Sequence, residues 1–310
     1  MKNFNTDTEI IDPKQQLFLY GYKYYFESFV QLYKKNKLPN VVLLNGAKGL
    51  GKSTFVYHFI NFLLSENEEH CYSLLNYSIN SDNKSFKLIL DKIHPNFFLL
   101  NNSTYEENIK IEQVRNLLNF LNSTTYSKDI KIVLIDNAER LNLNSANALL
   151  KSLEEPNSGT FFFIIHDSSY KLSETVKSRC LEFKIFFNIE EKKIILNNIF
   201  NQYKKKFKSN INNDKFYLDT PGNILKYLSI FDSKKIDFTK DYLLCVTHLF
   251  EKYKINKDPE LLNFASLFIE MFYSDLSLSN KNKLSIYYFN KSLIMNQIKH
   301  MKKFNLDKTN

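Results

Sequence analysis

Glycine is scarce in this chain, six residues in 310, where average usage would supply about 20. Cysteine (three), methionine (four) and proline (six) are also few, and tryptophan is absent. Collagen-like repeats, Gly/Ser linkers and disulfide scaffolds all need Gly or Cys in larger amounts and are excluded. Arginine is reduced to Arg115, Arg140 and Arg179. No apolar run approaches the roughly 20 residues of a membrane helix; the longest, such as Phe161-Phe162-Phe163-Ile164-Ile165, is strand-sized. The opening segment Met1-Lys2-Asn3-Phe4-Asn5-Thr6-Asp7 carries no apolar signal core. A soluble, cytoplasmic protein with no membrane contact is expected.

What is abundant is Phe (28), Tyr (19) and Lys, within a composition that is 44% hydrophobic. The length permits about two or three domains with cores of their own. The net charge of +9 invites a nucleic-acid reading. Lys is nevertheless dispersed, in pieces such as Lys204-Lys205-Lys206, and arginine for bidentate base contacts is rare. General compositional drift is favoured over a dedicated DNA-binding patch, with weak phosphate contact left open. Cys71, Cys180 and Cys245 are too few for a four-thiolate zinc site and are expected unpaired in a reducing cytosol.

The first half alternates short apolar runs with amphipathic ones, the pattern of a parallel α/β sheet. Strands are predicted at Val41–Leu44, Phe97–Leu100, Ile130–Ile135, Phe161–Ile165 and Leu181–Ile185, with a helix from Phe55 to Leu64. Ile111, Val114, Leu118 and Leu121 recur at helical spacing, as do Ala146, Leu149, Leu150 and Leu153 before Pro156 ends that helix. Beyond Phe187 the strand signals stop. A Lys-rich helix is predicted over Ile189–Phe207, and Thr220-Pro221-Gly222 introduces another, with proline in its first turn. From Lys235 onward the period is helical, with Phe264, Leu267, Phe268, Met271 and Phe272 in one stripe.

Half of the glycines fall in one motif. Gly46-Ala47-Lys48-Gly49-Leu50-Gly51-Lys52-Ser53 fits the phosphate-loop, or Walker A, pattern and lies between a predicted strand and helix. Gly46, Gly49 and Gly51 let backbone N–H groups curl around phosphate oxygens, and the helix N-terminus adds positive potential. Lys52 reaches the terminal phosphates, Ser53 offers a magnesium ligand, and Thr54 follows in the first helical turn. Asp136 closes the strand Ile132–Ile135 at its carboxyl end, where α/β ligand crevices lie. It is read as the second carboxylate near magnesium, with a helix-capping aspartate as the alternative. The next residue is Asn137, where a hydrolysing motor of this architecture usually has an acid to orient water.

These residues resemble the delta-prime family of the bacterial DNA polymerase III clamp loader, within the AAA+ group. The resemblance runs through the phosphate loop, Asp136-Asn137-Ala138-Glu139-Arg140-Leu141-Asn142, Asn147 to Pro156 with its Leu153-Glu154-Glu155-Pro156 end, and Ser178-Arg179-Cys180, covering about residues 15–187. It implies an AAA+ P-loop α/β domain with a parallel sheet over 1–187, a small helical lid over 188–234 and an all-helical C-terminal collar over 235–310. Arg179 would act in trans as an arginine finger on the ATP of a neighbouring subunit. Ser178 and Cys180 would shape and underpin the turn. The apolar face of the 147–156 helix is expected in the core, with Glu154 and Glu155 solvated or facing a subunit and without a catalytic role. Partners implied are gamma/tau and delta subunits, the sliding clamp and primed DNA, in a hetero-oligomer serving DNA replication.

Three departures bear on mechanism. Many family members carry four zinc-binding cysteines between the phosphate-loop helix and the next strand; here Ser65–Pro95 has Cys71, His70 and His94, so zinc is not expected. After the fourth strand, Ile165-His166-Asp167-Ser168-Ser169 has no Thr in place to sense a γ-phosphate; His166 either reaches nucleotide or is an ordinary capping or surface histidine. At Pro221-Gly222-Asn223 the motors place an arginine over ATP, and this chain has Asn223, with Lys226 a turn later as a conceivable substitute. ATP or ADP with magnesium on Ser53 and Asp136 is therefore expected as a structural ligand, or the loop stays empty, and this chain is expected to have little or no ATPase or polymerase activity. The alternatives are an ATP-hydrolysing gamma/tau-like motor of the same loader using Lys52, Ser53 and Asp136, a P-loop phosphotransferase, or a plain DNA-binding module.

Overall fold

Five segments pair side by side as parallel strands in a computed structural model that describes residues 11–102, 108–123, 130–202, 214–232 and 236–306. They are β1 (Val41–Gly46), β2 (Phe97–Leu100), β3 (Lys131–Ile135), β4 (Thr160–Asp167) and β5 (Leu181–Lys184), in the spatial order β2-β3-β4-β1-β5. Parallel neighbours require crossovers, and helices supply them. α1 (Lys23–Lys34) precedes β1; α2 (Lys52–Leu64) and α3 (Lys84–Leu90) follow it. α4 (Ile111–Asn122), α5 (Leu143–Glu154), α6 (Glu174–Lys177) and α7 (Ile189–Gln202) come after β2, β3, β4 and β5 in turn. This is the parallel α/β sheet expected from the sequence.

Because both sheet faces are covered, the apolar runs of β1 to β4 are almost uninterrupted, while edge strand β5 alternates Leu181-Glu182-Phe183-Lys184, and the period of two sorts the apolar residues into two cores. Val42, Leu44, Ile132, Leu134, Phe163 and Ile165 pack with Phe26, Phe29, Phe55 and Phe59 of α1 and α2. Val41, Leu43, Val133, Ile135, Phe162 and Ile164 pack with Val114 and Leu117 of α4 and Leu149 and Leu153 of α5. The first core is aromatic: the Phe29 ring meets Phe55 edge-on at 5.2 Å and Phe59 at 5.4 Å, and Phe26 stacks on Tyr72 at 5.0 Å. Such pairs contribute about 0.5–1.5 kcal/mol each beyond area burial. α1, which supplies Phe26 and Phe29, has no counterpart in the elements predicted above.

Lys131 breaks the apolar rule inside the sheet's amino edge. At the start of β3 it is buried, and its ammonium donates to the carbonyls of Phe120 (2.7 Å), Leu121 (2.9 Å) and Ser123. These carbonyls belong to the last turn of α4 and its C-cap, where helical partners run out; that of Phe120 also accepts the Ser123 N–H at 3.2 Å. Burial lowers the Lys131 pKa.

The chain divides into two compact units: the sheet unit, which includes α7 and residues 217–224, and a helical unit of residues 214–216 and those from 225 onward. Helices α8 (Pro221–Asp232), α9 (Tyr242–Asn256), α10 (Pro259–Ser279) and α11 (Leu284–Leu306) follow the sheet. Pro221 and Pro259 stand at helix starts, where their missing N–H costs nothing, and Asp258 caps α10 by accepting the Glu260 N–H at 2.9 Å. In the helical unit Phe268 is fully buried against Tyr227 (5.3 Å) and Phe231 (5.5 Å). Of the predicted stripe, Phe264, Phe268 and Met271 are buried and Leu267 and Phe272 half-buried. Met1–Asp7, Lys204-Lys205-Lys206, the predicted helix end at Phe207 and Lys235 lie outside the described residues. Among the described residues no helix is long and apolar enough to cross a membrane.

Candidate functional site

The carboxyl edge of the sheet collects the phosphate-loop residues. The chain leaves β1 at Gly46 and enters α2 at Lys52, with Gly49 and Gly51 both at φ 86°, a backbone region that favours glycine. Tyr22, buried beneath the loop, donates its hydroxyl to the Leu50 carbonyl at 3.0 Å. Lys52 is buried and its ammonium donates to the carbonyls of Gly46 (2.5 Å) and Ala47 (2.8 Å). Burial pulls its pKa down to about 8, opposed by the carboxylates of Asp167, Glu139 and Asp136. Thr54 is half-buried in the first turn of α2.

Ser53 and Asp136 meet although 83 positions separate them. The Ser53 hydroxyl donates to the Asp136 carboxylate, with its oxygens at 3.2 and 3.4 Å. Asp136 follows β3 directly, so the register of β3 against β4, and of β4 against β1, brings it to the same edge as Gly46. Burial raises its pKa, and the bonds from Ser53 and from the Asn137 N–H oppose that. Asn137 takes a left-handed backbone conformation (φ 60°), and its side-chain amide donates to Asn102 Oδ1 at 3.1 Å. Glu139 accepts the Asp167 N–H at 3.2 Å, joining the ends of β3 and β4.

The first turn of α8 touches the loop backbone to backbone. The Gly222 N–H donates to the Gly49 carbonyl at 2.8 Å. A Cβ on Gly49 would fall 2.3 Å from Thr220 Oγ1. Asn223 donates its side-chain amide to Asp219 Oδ1 at 2.8 Å. Lys226, read as a conceivable phosphate ligand, has its ammonium paired with Glu260 Oε1 at 2.6 Å. His166 departs from the surface or capping role: it is buried, because β4 runs two residues past its apolar core, and its Nδ1 lies 3.1 Å from Asn45 Oδ1.

Arg179 lies at the other edge. β5 runs parallel to β1 with Leu181 opposite Val42, and Arg179 stands two residues before Leu181. Between the level of Val42 and Gly46 lies about 13 Å of strand. Its guanidinium is bound locally: Nη1 donates to the Thr175 carbonyl (2.9 Å) and Nη2 to Glu154 Oε2 (3.2 Å). Ser178 Oγ donates to the Thr175 carbonyl at 3.2 Å, and Cys180 Sγ to that of Val176 at 3.1 Å. Burial pushes the Cys180 thiol up to about 12, which leaves it protonated and unreactive at neutral pH.

Between α2 and β2 the chain is closed by hydrogen bonds. Cys71 is exposed. Glu68 accepts from Asn83 Nδ2 (2.8 Å) and from the Ser85 hydroxyl, and Ser85 Oγ lies 3.2 Å from His94 Nε2. Among the described residues no group of three or more His, Cys, Asp or Glu side chains could hold a metal ion. Sequence reasoning missed this network, the Glu154–Arg179 pair and the role of Thr175. For Glu154 the available signal was its place in the Leu153-Glu154-Glu155-Pro156 segment of the resemblance.

A family model described as DNA polymerase III, delta subunit matches residues 22–187. DNA polymerase III subunit delta' of Pseudomonas aeruginosa is 34% identical over 152 residues, which cover 49% of this chain and 44% of that protein. The same subunit of Escherichia coli is 26% identical over 161 residues, 50% of this chain and 45% of that protein. DNA polymerase III subunit gamma of Buchnera aphidicola is 28% identical over 193 residues, 62% of this chain and 49% of that protein. The chain thus spans about half the length of the curated relatives it matches.

Proposed function

The chain belongs to the DNA polymerase III delta-subunit family, and from that membership we propose that it serves as the delta-prime subunit of a bacterial clamp loader. In this reading it joins gamma/tau and delta subunits in the cytoplasm, helps load the sliding clamp on primed DNA, and presents Arg179 to the ATP of a neighbouring subunit. The division into an AAA+ domain to residue 187, a lid to 234 and a collar from 235 is part of the same proposal.

The observation that carries it is the separation of Arg179 from the chain's own phosphate loop. The loop leaves the carboxyl end of β1, whereas Arg179 precedes β5 at the amino end of the same strand pair. An arginine there is well placed to serve a site on another subunit. Guanidinium charge at a developing phosphoryl transition state contributes about 10³ to 10⁵ in rate, and neither the flexible point charge of Lys nor a neutral side chain reproduces its fork.

The residues at the carboxyl edge fit a magnesium nucleotide. The Ser53 hydroxyl and the Asp136 carboxylate lie together as an oxygen donor pair suited to magnesium, and Gly46, Gly49, Gly51, Lys52 and Thr54 would hold the phosphates. Magnesium, when bound, would neutralise phosphate charge. Lys52 is already turned onto the loop's own carbonyls, and Asn137 supplies an amide where water activation needs a carboxylate. Nucleotide is therefore a structural ligand in this reading, and this chain has little or no turnover of its own.

The Ser53–Asp136 pair also favours a second reading, a gamma-like motor that hydrolyses ATP itself. ATP turnover by the purified chain separates the two. Background turnover alone, with stimulation on adding gamma-type subunits, is the outcome for a delta-prime role; turnover at a motor's rate by the chain alone would establish the motor.

A further inference from the structure

Glu154 is the last residue of α5, and Arg179 lies 25 positions later, on the turn between α6 and β5. We propose that Glu154 is the positioning residue of Arg179, an inference that rests on reading Arg179 as a finger acting in trans. The two shorter hydrogen bonds of the guanidinium come from two different elements: Thr175 in α6 gives a carbonyl to Nη1 at 2.9 Å, and Glu154 gives Oε2 to Nη2 at 3.2 Å, while Ser178 Oγ of the turn itself lies 3.5 Å from Nη1. Two anchors define the plane and direction of a guanidinium, where one would leave it free to rotate.

An arginine on a turn has several rotatable bonds, and that freedom is lost when its tip must meet one phosphoryl oxygen. Anchors that settle the rotamer beforehand move the loss to the folding of the subunit and leave the encounter with a smaller entropic cost. Each terminal nitrogen carries two N–H bonds. A phosphoryl oxygen can therefore take the second N–H of Nη2, and that of Nη1 in place of its 3.5 Å contact with Ser178 Oγ, while Thr175 and Glu154 keep theirs. The exposures suit this arrangement: the Arg179 side chain is 27% exposed and the Glu154 side chain 61%. The carboxylate thus sits at the solvent boundary, strong enough to orient and too well hydrated to bury the charge. Glu155, its neighbour in sequence, is exposed and is the natural control.

The test uses the reconstituted loader with its gamma-type and delta subunits, measuring DNA-stimulated ATP turnover. Glu154→Ala is expected to lower kcat about two- to fivefold, the range of an exposed ion pair, with KM for ATP unchanged. Glu154→Gln, which keeps an oxygen acceptor, is expected to recover part of the loss, and Glu155→Ala to match wild type. In an Arg179→Ala background Glu154→Ala is expected to change nothing further, since the residue it positions is gone. A Glu154→Ala loader with wild-type or higher kcat, or one matched by Glu155→Ala, overturns the inference while leaving the finger in place. An Arg179→Ala loader with undiminished turnover overturns the finger and this inference with it.

Discussion

Gly222 donates its backbone N–H to the Gly49 carbonyl across 2.8 Å, so the first turn of α8 is fastened directly to the phosphate loop. The approach depends on both residues lacking a side chain. A Cβ on Gly222 would stand 2.8 Å from both Cα and O of Gly49, and neither backbone atom can swing aside as a side chain would. Gly222→Ala is expected to destabilise the sheet unit by about 1–3 kcal/mol, the usual cost of overpacking. Urea unfolding reads this as a lower midpoint; a midpoint equal to wild type would show that the contact yields without cost.

Lys131→Met separates hydrophobic pattern from hydrogen bonding. Methionine suits an apolar strand and is close to lysine in size, so pattern alone makes the change favourable. The structure predicts the opposite. The ammonium serves the carbonyls of Phe120, Leu121 and Ser123 at the end of α4, and unpairing buried acceptors costs about 1–3 kcal/mol. Denaturant unfolding of Lys131→Met is expected to show that loss; a variant as stable as wild type would contradict it.

His58 links stability to pH. It is buried with Nδ1 3.0 Å from the Tyr72 hydroxyl and Nε2 3.1 Å from the Gln16 carbonyl, and burial pushes its pKa down to about 3. The unfolded chain, with an ordinary histidine near 6.5, takes up the proton first. Stability from this group is complete above pH about 6.5 and is lost as pH falls toward about 3, by up to about 1.4 kcal/mol per pH unit. His94, pushed down to about 4 by burial, adds a loss of the same sign over a narrower window. Unfolding free energies from pH 7 to 4 are expected to fall less steeply in His58→Gln than in wild type; equal slopes would contradict the assignment.

The strands were legible because burial on both faces writes itself as consecutive Val, Ile, Leu and Phe, and the phosphate loop because three of six glycines occupy one spacing. α1 was not, since its Tyr and Phe residues serve an aromatic core on one face and lie between Lys and Gln on the other, close to the background of a chain so rich in these residues. The burial of Lys131 and of His166 was not legible for a common reason. Polar residues at the ends of buried strands are explained by what lies across the sheet edge, the carbonyls of α4 in one case and Asn45 of β1 in the other. The Arg179–Glu154 pair depends on where α5 ends relative to β5, a relation fixed by sheet order and register that no local spacing records.

The most direct measurement is the DNA-stimulated ATPase of the reconstituted loader carrying Arg179→Ala in this chain. The guanidinium is held by Thr175 and by an exposed carboxylate, so its removal is expected to leave assembly intact. Turnover at the neighbouring site it serves is expected to fall by about 10³-fold or more, lowering the activity of the complex. A complex that assembles normally and hydrolyses ATP at the wild-type rate would contradict the role in trans.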